Sequence, residues 1–161
     1  MAGRWAAAGE VDRELLQALL QDAWFEKPPP KSTGIEYFNL EWLRKHLSGL
    51  HLHARDIQAT LAELTARSVA DAVRPCRAAE VLLCGGGTHN VDLVARLERC
   101  LPDMPLRSTA EFGVDPDWVE AILFAWLARE RLEGRPQDTR AITGARQPVL
   151  LGTVAHPSAV E

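Results

Sequence analysis

The stretch that most restricts the fold lies at the centre of the chain. Val81-Leu82-Leu83-Cys84 is a run of four apolar residues that ends at once on Gly85-Gly86-Gly87. A run that short, closed by glycine, reads as a buried strand rather than a helix. After Thr88-His89-Asn90, the residues Val91, Val94, Leu97 and Leu101 recur at helical spacing, and Pro105-Leu106-Arg107-Ser108 follows as a second strand. Strand, turn, helix and strand in that order imply a parallel pair joined by a crossover. The chain is therefore read as α/β, with helix in excess.

Helical patterning occupies both flanks. Val11, Leu15, Leu16, Leu19, Leu20 and Trp24 share one stripe, which predicts an amphipathic helix over about 11–24, ended by Pro28, Pro29 and Pro30. Lys31-Ser32-Thr33-Gly34 reads as a loop. A short helix with Leu40, Trp42, Leu43 and Leu47 starts after Asn39, a favourable cap. The stretch from His51 to Arg55 is ambiguous. From Asp56 a long helix places Ile57, Leu61, Leu64 and Val69 toward a core and stops near Pro75. Asp115 followed by Pro116 signals another helix start, with Val119, Ile122, Leu123, Trp126 and Leu127 as its buried stripe and Gly134 past its end. Pro148 to Val154 reads as one more short strand.

Composition narrows the function classes. A length of 161 residues suits one domain and an N-terminal arm, and 47% apolar with 25% charged residues is enough to bury a core. The expected division is a helical arm and Pro-rich loop over 1–50, then a lobe over 51–161. A net charge of -4 with scattered Lys and Arg gives no basic face for nucleic acid or a membrane surface. Cys76, Cys84 and Cys100 form no CxxC pair; they read as reduced thiols acting as small buried apolar side chains. No run approaches the ~20 apolar residues of a membrane helix, and residues 1–10 lack the apolar stretch of a signal peptide. The expected location is the cytoplasm.

Each candidate constellation has a plainer reading beside it. Gly85-Gly86-Gly87 removes every β-carbon where a ring or phosphate would press on the backbone, and the helix after it points amides and its positive dipole end at the same space. A tight strand-to-helix turn without a ligand accounts for the glycines equally well. Lys31-Ser32-Thr33 invites a phosphate-loop reading that fails, because prolines stand where the cradle needs glycines. His51 and His53 lack the further ligands that zinc requires, so no metal site is assigned. His89 lies inside the glycine turn, where a histidine often only bonds the local backbone. Glu120, near Asp115 and Asp117, has the place of an acid that favours a helix dipole. No catalytic set assembles from these residues.

Taken together, several stretches resemble the C-terminal half of anhydro-N-acetylmuramic acid kinases. They are Pro29 to Gly34 with Phe38-Asn39, Asp56 to Leu61 with Leu64-Thr65-Ala66, and Cys84 to Asn90. Glu111-Phe112-Gly113 with Pro116-Asp117 follows, then Glu120-Ala121, Phe124 to Ala128, Thr143-Gly144-Ala145 and Pro148-Val149. The likeness covers nearly the whole chain in order. It implies the second lobe of an actin-like, ribonuclease H-like ATPase fold, with residues 51–161 as its adenosine-binding lobe. It further implies ATP-dependent phosphorylation of 1,6-anhydro-N-acetylmuramate, with ring opening, to N-acetylmuramate 6-phosphate during peptidoglycan recycling.

By that resemblance Gly85, Gly86, Gly87, His89 and Asn90 face the nucleotide and Glu120 faces the sugar. ATP with magnesium is the implied cofactor, and no ligand for the metal is found in this chain. Family members carry the phosphate loop and the catalytic aspartate in a first lobe, and Met1-Ala2-Gly3-Arg4-Trp5 resembles sequence just downstream of it. The expectation is a half-enzyme inactive by itself, whose partner is that first lobe or a second copy. A non-catalytic nucleotide- or sugar-binding module is the alternative.

Overall fold

Helix α5, Ala54–Val73, is the spine on which most of the protein is assembled. The computed structural model describes residues 3–155. They divide into two units: Met1–Lys27 with Thr33–Trp118, and Pro28–Ser32 with Val119–Glu161.

In the first unit, α1 (Arg4–Ala7), α2 (Arg13–Leu20) and α6 (Val91–Cys100) pack on α5. The α2 stripe of Leu15, Leu16 and Leu19 meets Leu64, with Trp42 and Leu43 of α4 (Leu40–His46) closing over it. Thr60 ties α2 down: its hydroxyl accepts from the Asp12 amide (3.0 Å) and donates to the Asp56 carbonyl (2.7 Å). Farther along α5, Ala66 and Ala70 are fully buried against Leu97 of α6 and Leu101, the residue that caps its end. Two small side chains there let the helices approach closely. Arg96 of α6 is only 5% exposed, and it donates to Asp92 (2.8 Å) and to Glu63 of α5 (3.2 Å). Burial opposes its charge, but these two carboxylates hold the guanidinium firmly protonated.

The expected helix over 11–24 is broken in two. Asp22 ends it by accepting from the Trp24 amide (2.8 Å) and capping α3, Ala23–Glu26. The same carboxylate takes the Tyr37 hydroxyl and the Trp42 indole N–H, each at 2.8 Å, so long-range bonds outweigh helix continuation. Helix α5 starts at Ala54, two residues before the expected position, leaving Asp56 in its first turn beside the positive dipole end.

The strand expectation holds with shorter ends. Strands β1 (Val81–Leu83) and β2 (Leu106–Ser108) pair in parallel, with Val81 opposite Leu106 and Leu83 opposite Ser108, and α6 is the crossover. The result is a mixed α/β, helix-rich architecture with a small parallel sheet. Cys76 and Cys84 are exposed rather than buried, and Cys100 is half-buried.

In the second unit, α7 (Val119–Leu132) begins three residues after Pro116, because Pro116–Trp118 forms a separate 3-10 turn. Glu130 is nearly buried and accepts two bonds from Arg135 (2.8 and 2.6 Å) and one from Gln137 (3.0 Å). That clasp reverses the chain after Gly134. Short α8, Arg140–Thr143, follows. The expected strand over 148–154 reduces to one antiparallel bridge between Val149 and Gln137. The expected buried stripe of α7 is also overturned: Ile122, Leu123 and Trp126 are 51%, 47% and 44% exposed. The apolar residues of the helix are spread around its axis rather than gathered in one stripe.

Candidate functional site

The end of β1 carries the turn on which the site is built. Gly85 has φ 75° and ψ 179°, a conformation essentially closed to residues with a β-carbon. Its N–H donates to the Pro116 carbonyl at 2.8 Å. Gly86–His89 then form a 3-10 turn, locked by the Thr88 amide (3.1 Å) and hydroxyl (2.8 Å), both donating to the Gly85 carbonyl. The Asn90 amide closes the turn on the Gly87 carbonyl (3.1 Å), and the Asn90 side-chain oxygen caps α6 by accepting from the Leu93 amide (3.1 Å).

His89 does not bond the local backbone. Its Nε2 lies 2.9 Å from both carboxylate oxygens of Asp117, and since a carboxylate only accepts, that nitrogen carries the proton. The turn is therefore fastened twice to the 3-10 segment Pro116–Trp118, through Gly85 and through His89. No sequence rule pairs residues 28 apart, which is why Asp117 escaped notice as a site residue.

Only one of the three glycines is required by backbone shape. Gly86 and Gly87 have ordinary φ, and a β-carbon on either would meet no heavy atom of the chain within 4 Å. They keep a surface bare that nothing in the protein fills. Beside Gly87 is an open apolar hollow of about 160 Å³, lined by Thr65, Leu83, Cys84, Gly87, Thr88 and Leu97 among others. The positive end of α6 is partly quenched by Asn90 and by Asp92 in its first turn. What remains is an open glycine surface beside an apolar hollow.

The neighbouring strand end is pinned by charge. Arg107 lies 4.5 Å over the Phe112 ring and donates to Glu111 (2.9 Å) and Glu80 (3.2 Å). Its guanidinium, followed by the Ser108 amide, holds the Glu111 carboxyl below its ordinary range. The structure thus brings Gly85, Gly86, Gly87, His89 and Asn90 into one continuous surface, with Asn90 committed to helix capping. Glu120 belongs to the second unit, where it is exposed in the first turn of α7. Among the described residues, no three His, Cys, Asp or Glu side chains are grouped to hold a metal. No described helix is long and apolar enough to cross a membrane.

Comparison with known proteins decides the family, because the profile of anhydro-N-acetylmuramic acid kinases matches residues 1–157. The chain belongs to the anhydro-N-acetylmuramic acid kinase family. The kinase of that name from Chromohalobacter salexigens is 51% identical over 156 residues, covering 93% of this chain and 42% of its own. The Xanthomonas oryzae kinase is 51% identical and the Coxiella burnetii kinase 47% identical, each over 154 residues, 94% of this chain and 41% of theirs. The chain thus spans about two-fifths of the length of the curated relatives it matches.

Proposed function

We propose that this chain supplies the adenosine-facing lobe of an ATP-dependent kinase acting on 1,6-anhydro-N-acetylmuramate in the cytoplasm. In this reading the sugar ring is opened by water and the product is N-acetylmuramate 6-phosphate. The lobe, of the actin-like type, spans residues 51–161, and residues 1–50 are an arm packed on its long helix. The observation that carries the reading is the bare surface at Gly86 and Gly87, the latter lining an apolar hollow. Glycines that neither backbone shape nor packing requires are explained by a ligand that approaches the backbone.

Gly85, Gly86 and Gly87 then take the nucleoside. His89 holds the turn in place through Asp117, and Asn90 holds the helix start behind it. Glu120 is assigned to the sugar. ATP supplies the phosphoryl group with magnesium as its counter-ion, and no residue of this chain is given the metal, the γ-phosphate or the base that activates water. Phosphoryl transfer depends on aligning the γ-phosphate with the nucleophile and neutralising its charge. Those tasks fall to the part of the relatives that this chain does not span.

Gly86→Val tests the assignment. The substitution meets no protein atom and sits at ordinary φ, so the fold is retained. A branched side chain would occupy the surface where the nucleoside lies. Titration calorimetry with ATP, using the chain assembled with the rest of a family member, is expected to show affinity lost while the melting temperature stays unchanged. Undiminished ATP binding contradicts the site.

A further inference from the structure

The bond between His89 and Asp117 does more than fasten the turn. Backbone bonds already lock the chain from Gly85 to Asn90, and a pair whose side chains are 58% and 53% exposed adds little to stability. What the bond fixes is the ring. Asp117 is itself held in place: its amide donates to an Asp115 side-chain oxygen (2.9 Å), and the Pro116 carbonyl before it takes the Gly85 N–H (2.8 Å). Both of its carboxylate oxygens stand 2.9 Å from His89 Nε2 and require the proton there. A carboxylate on one imidazole nitrogen selects the tautomer, and with it the role of the other nitrogen. For His89 the other nitrogen is Nδ1, left as an acceptor. Among the described residues, the ring's hydrogen bonds all run through Nε2. His89 also belongs to the same 3-10 turn as the bare Gly86 and Gly87.

We infer that His89 Nδ1 accepts a hydrogen bond from the nucleoside, and that Asp117 is the positioning residue that keeps this nitrogen free of a proton. The inference rests on the functional reading above and adds to it the group that recognises the ligand. Two features favour the nucleoside over the phosphates at this point. A bare acceptor needs a donor; ionised phosphate oxygens offer none, whereas adenosine offers its exocyclic amine and its ribose hydroxyls. The carboxylates of Asp115 and Asp117 at this end of the surface also repel phosphate.

The test is titration calorimetry at mildly alkaline pH, with the chain assembled with the rest of a family member. ATP is compared with purine riboside triphosphate, which lacks the amine, and with 2′-deoxy-ATP and 3′-deoxy-ATP, which each lack one hydroxyl. The parent is expected to prefer ATP over one of the three by about three- to tenfold, the usual effect of one hydrogen bond between neutral groups. The analogue that suffers names the donor. Asp117→Asn is isosteric, but its amide can donate to Nε2 and send the proton to Nδ1. That variant and His89→Ala are both expected to bind ATP more weakly by the same factor and to lose the preference, with melting temperatures kept. Should Asp117→Asn lose stability, His89→Ala carries the same comparison. Proton–nitrogen NMR correlations should show His89 protonated at Nε2 in the parent and shifted toward Nδ1 in Asp117→Asn, a change that a merely structural role would not tie to nucleotide choice. A parent indifferent to all three analogues overturns the inference, as does parental discrimination kept by both variants or a parent protonated at Nδ1. With Gly86→Val still losing ATP, any of these leaves the glycine site standing. Undiminished ATP binding by Gly86→Val takes down both readings.

Discussion

Asp22 shows how much one side chain organises near the N-terminus. It ends α2, caps α3 and receives Tyr37 and Trp42, around which Trp24, Phe25, Phe38 and His46 pack, mostly edge to face, at centroid distances of 4.7–5.5 Å. Partial burial opposes ionisation, but the bonds from the Trp24 amide, Trp42 and Tyr37 outweigh it and depress the Asp22 carboxyl below its ordinary value. The unfolded chain therefore binds this proton at a higher pH than the folded one. The stabilisation is complete above the unfolded value near 4 and is lost as pH falls through the depressed one. Asp22→Ala should lower stability by about 1–2 kcal/mol at neutral pH, as loss of a cap and its bonds does. It should also flatten the acid limb of the stability curve, read by urea melts between pH 3 and pH 7. A second residue belongs to the proposed sugar site. Glu120→Ala, in the chain assembled with the rest of a family member, should raise KM or lower kcat about ten- to hundredfold with ATP affinity intact, since a charged hydrogen bond contributes ~1.5–3 kcal/mol. Wild-type kinetics would return Glu120 to the role of an acid at a helix start.

At the scale of elements, what could be read ahead of the structure was whatever local pattern dictates. The strand, Gly85 turn and α6 crossover follow from a short apolar run, a glycine stop and helical spacing, and the β1–β2 pairing follows from chain order. The break at Asp22 was not legible, because Tyr37 and Trp42 act on it from 15 and 20 residues away. Nor was the role of His89, whose partner stands 28 residues on. Helix α7 deceived for another reason: its apolar residues show that burial is needed without saying what provides it. The contact between α5 and α6 offers an element-scale prediction. Arg96→Ala leaves Asp92 beside a void without its cation, while Glu63 keeps its bond from Arg67, and should cost about 3 kcal/mol, the low end of the usual penalty for breaking a buried ion pair from one side. Thermal melting of the variant checks it, and a loss under about 1 kcal/mol would mean water reaches the pair as at a surface site.

At the scale of the whole molecule, the two units are unlike. The first has a complete core and an open glycine surface; the second has a helix with too little around it. In the proposed function the chain works as one part of a larger kinase, and the glycine surface receives the nucleoside. The most direct measurement of that claim incubates the purified chain with ATP, magnesium and 1,6-anhydro-N-acetylmuramate, with and without the co-expressed remainder of a family member, and follows the 6-phosphate by mass spectrometry. The account predicts no product from the chain alone and product once the remainder is present. Turnover by the chain alone would contradict it, because the γ-phosphate would then be held by residues to which no such role is assigned here.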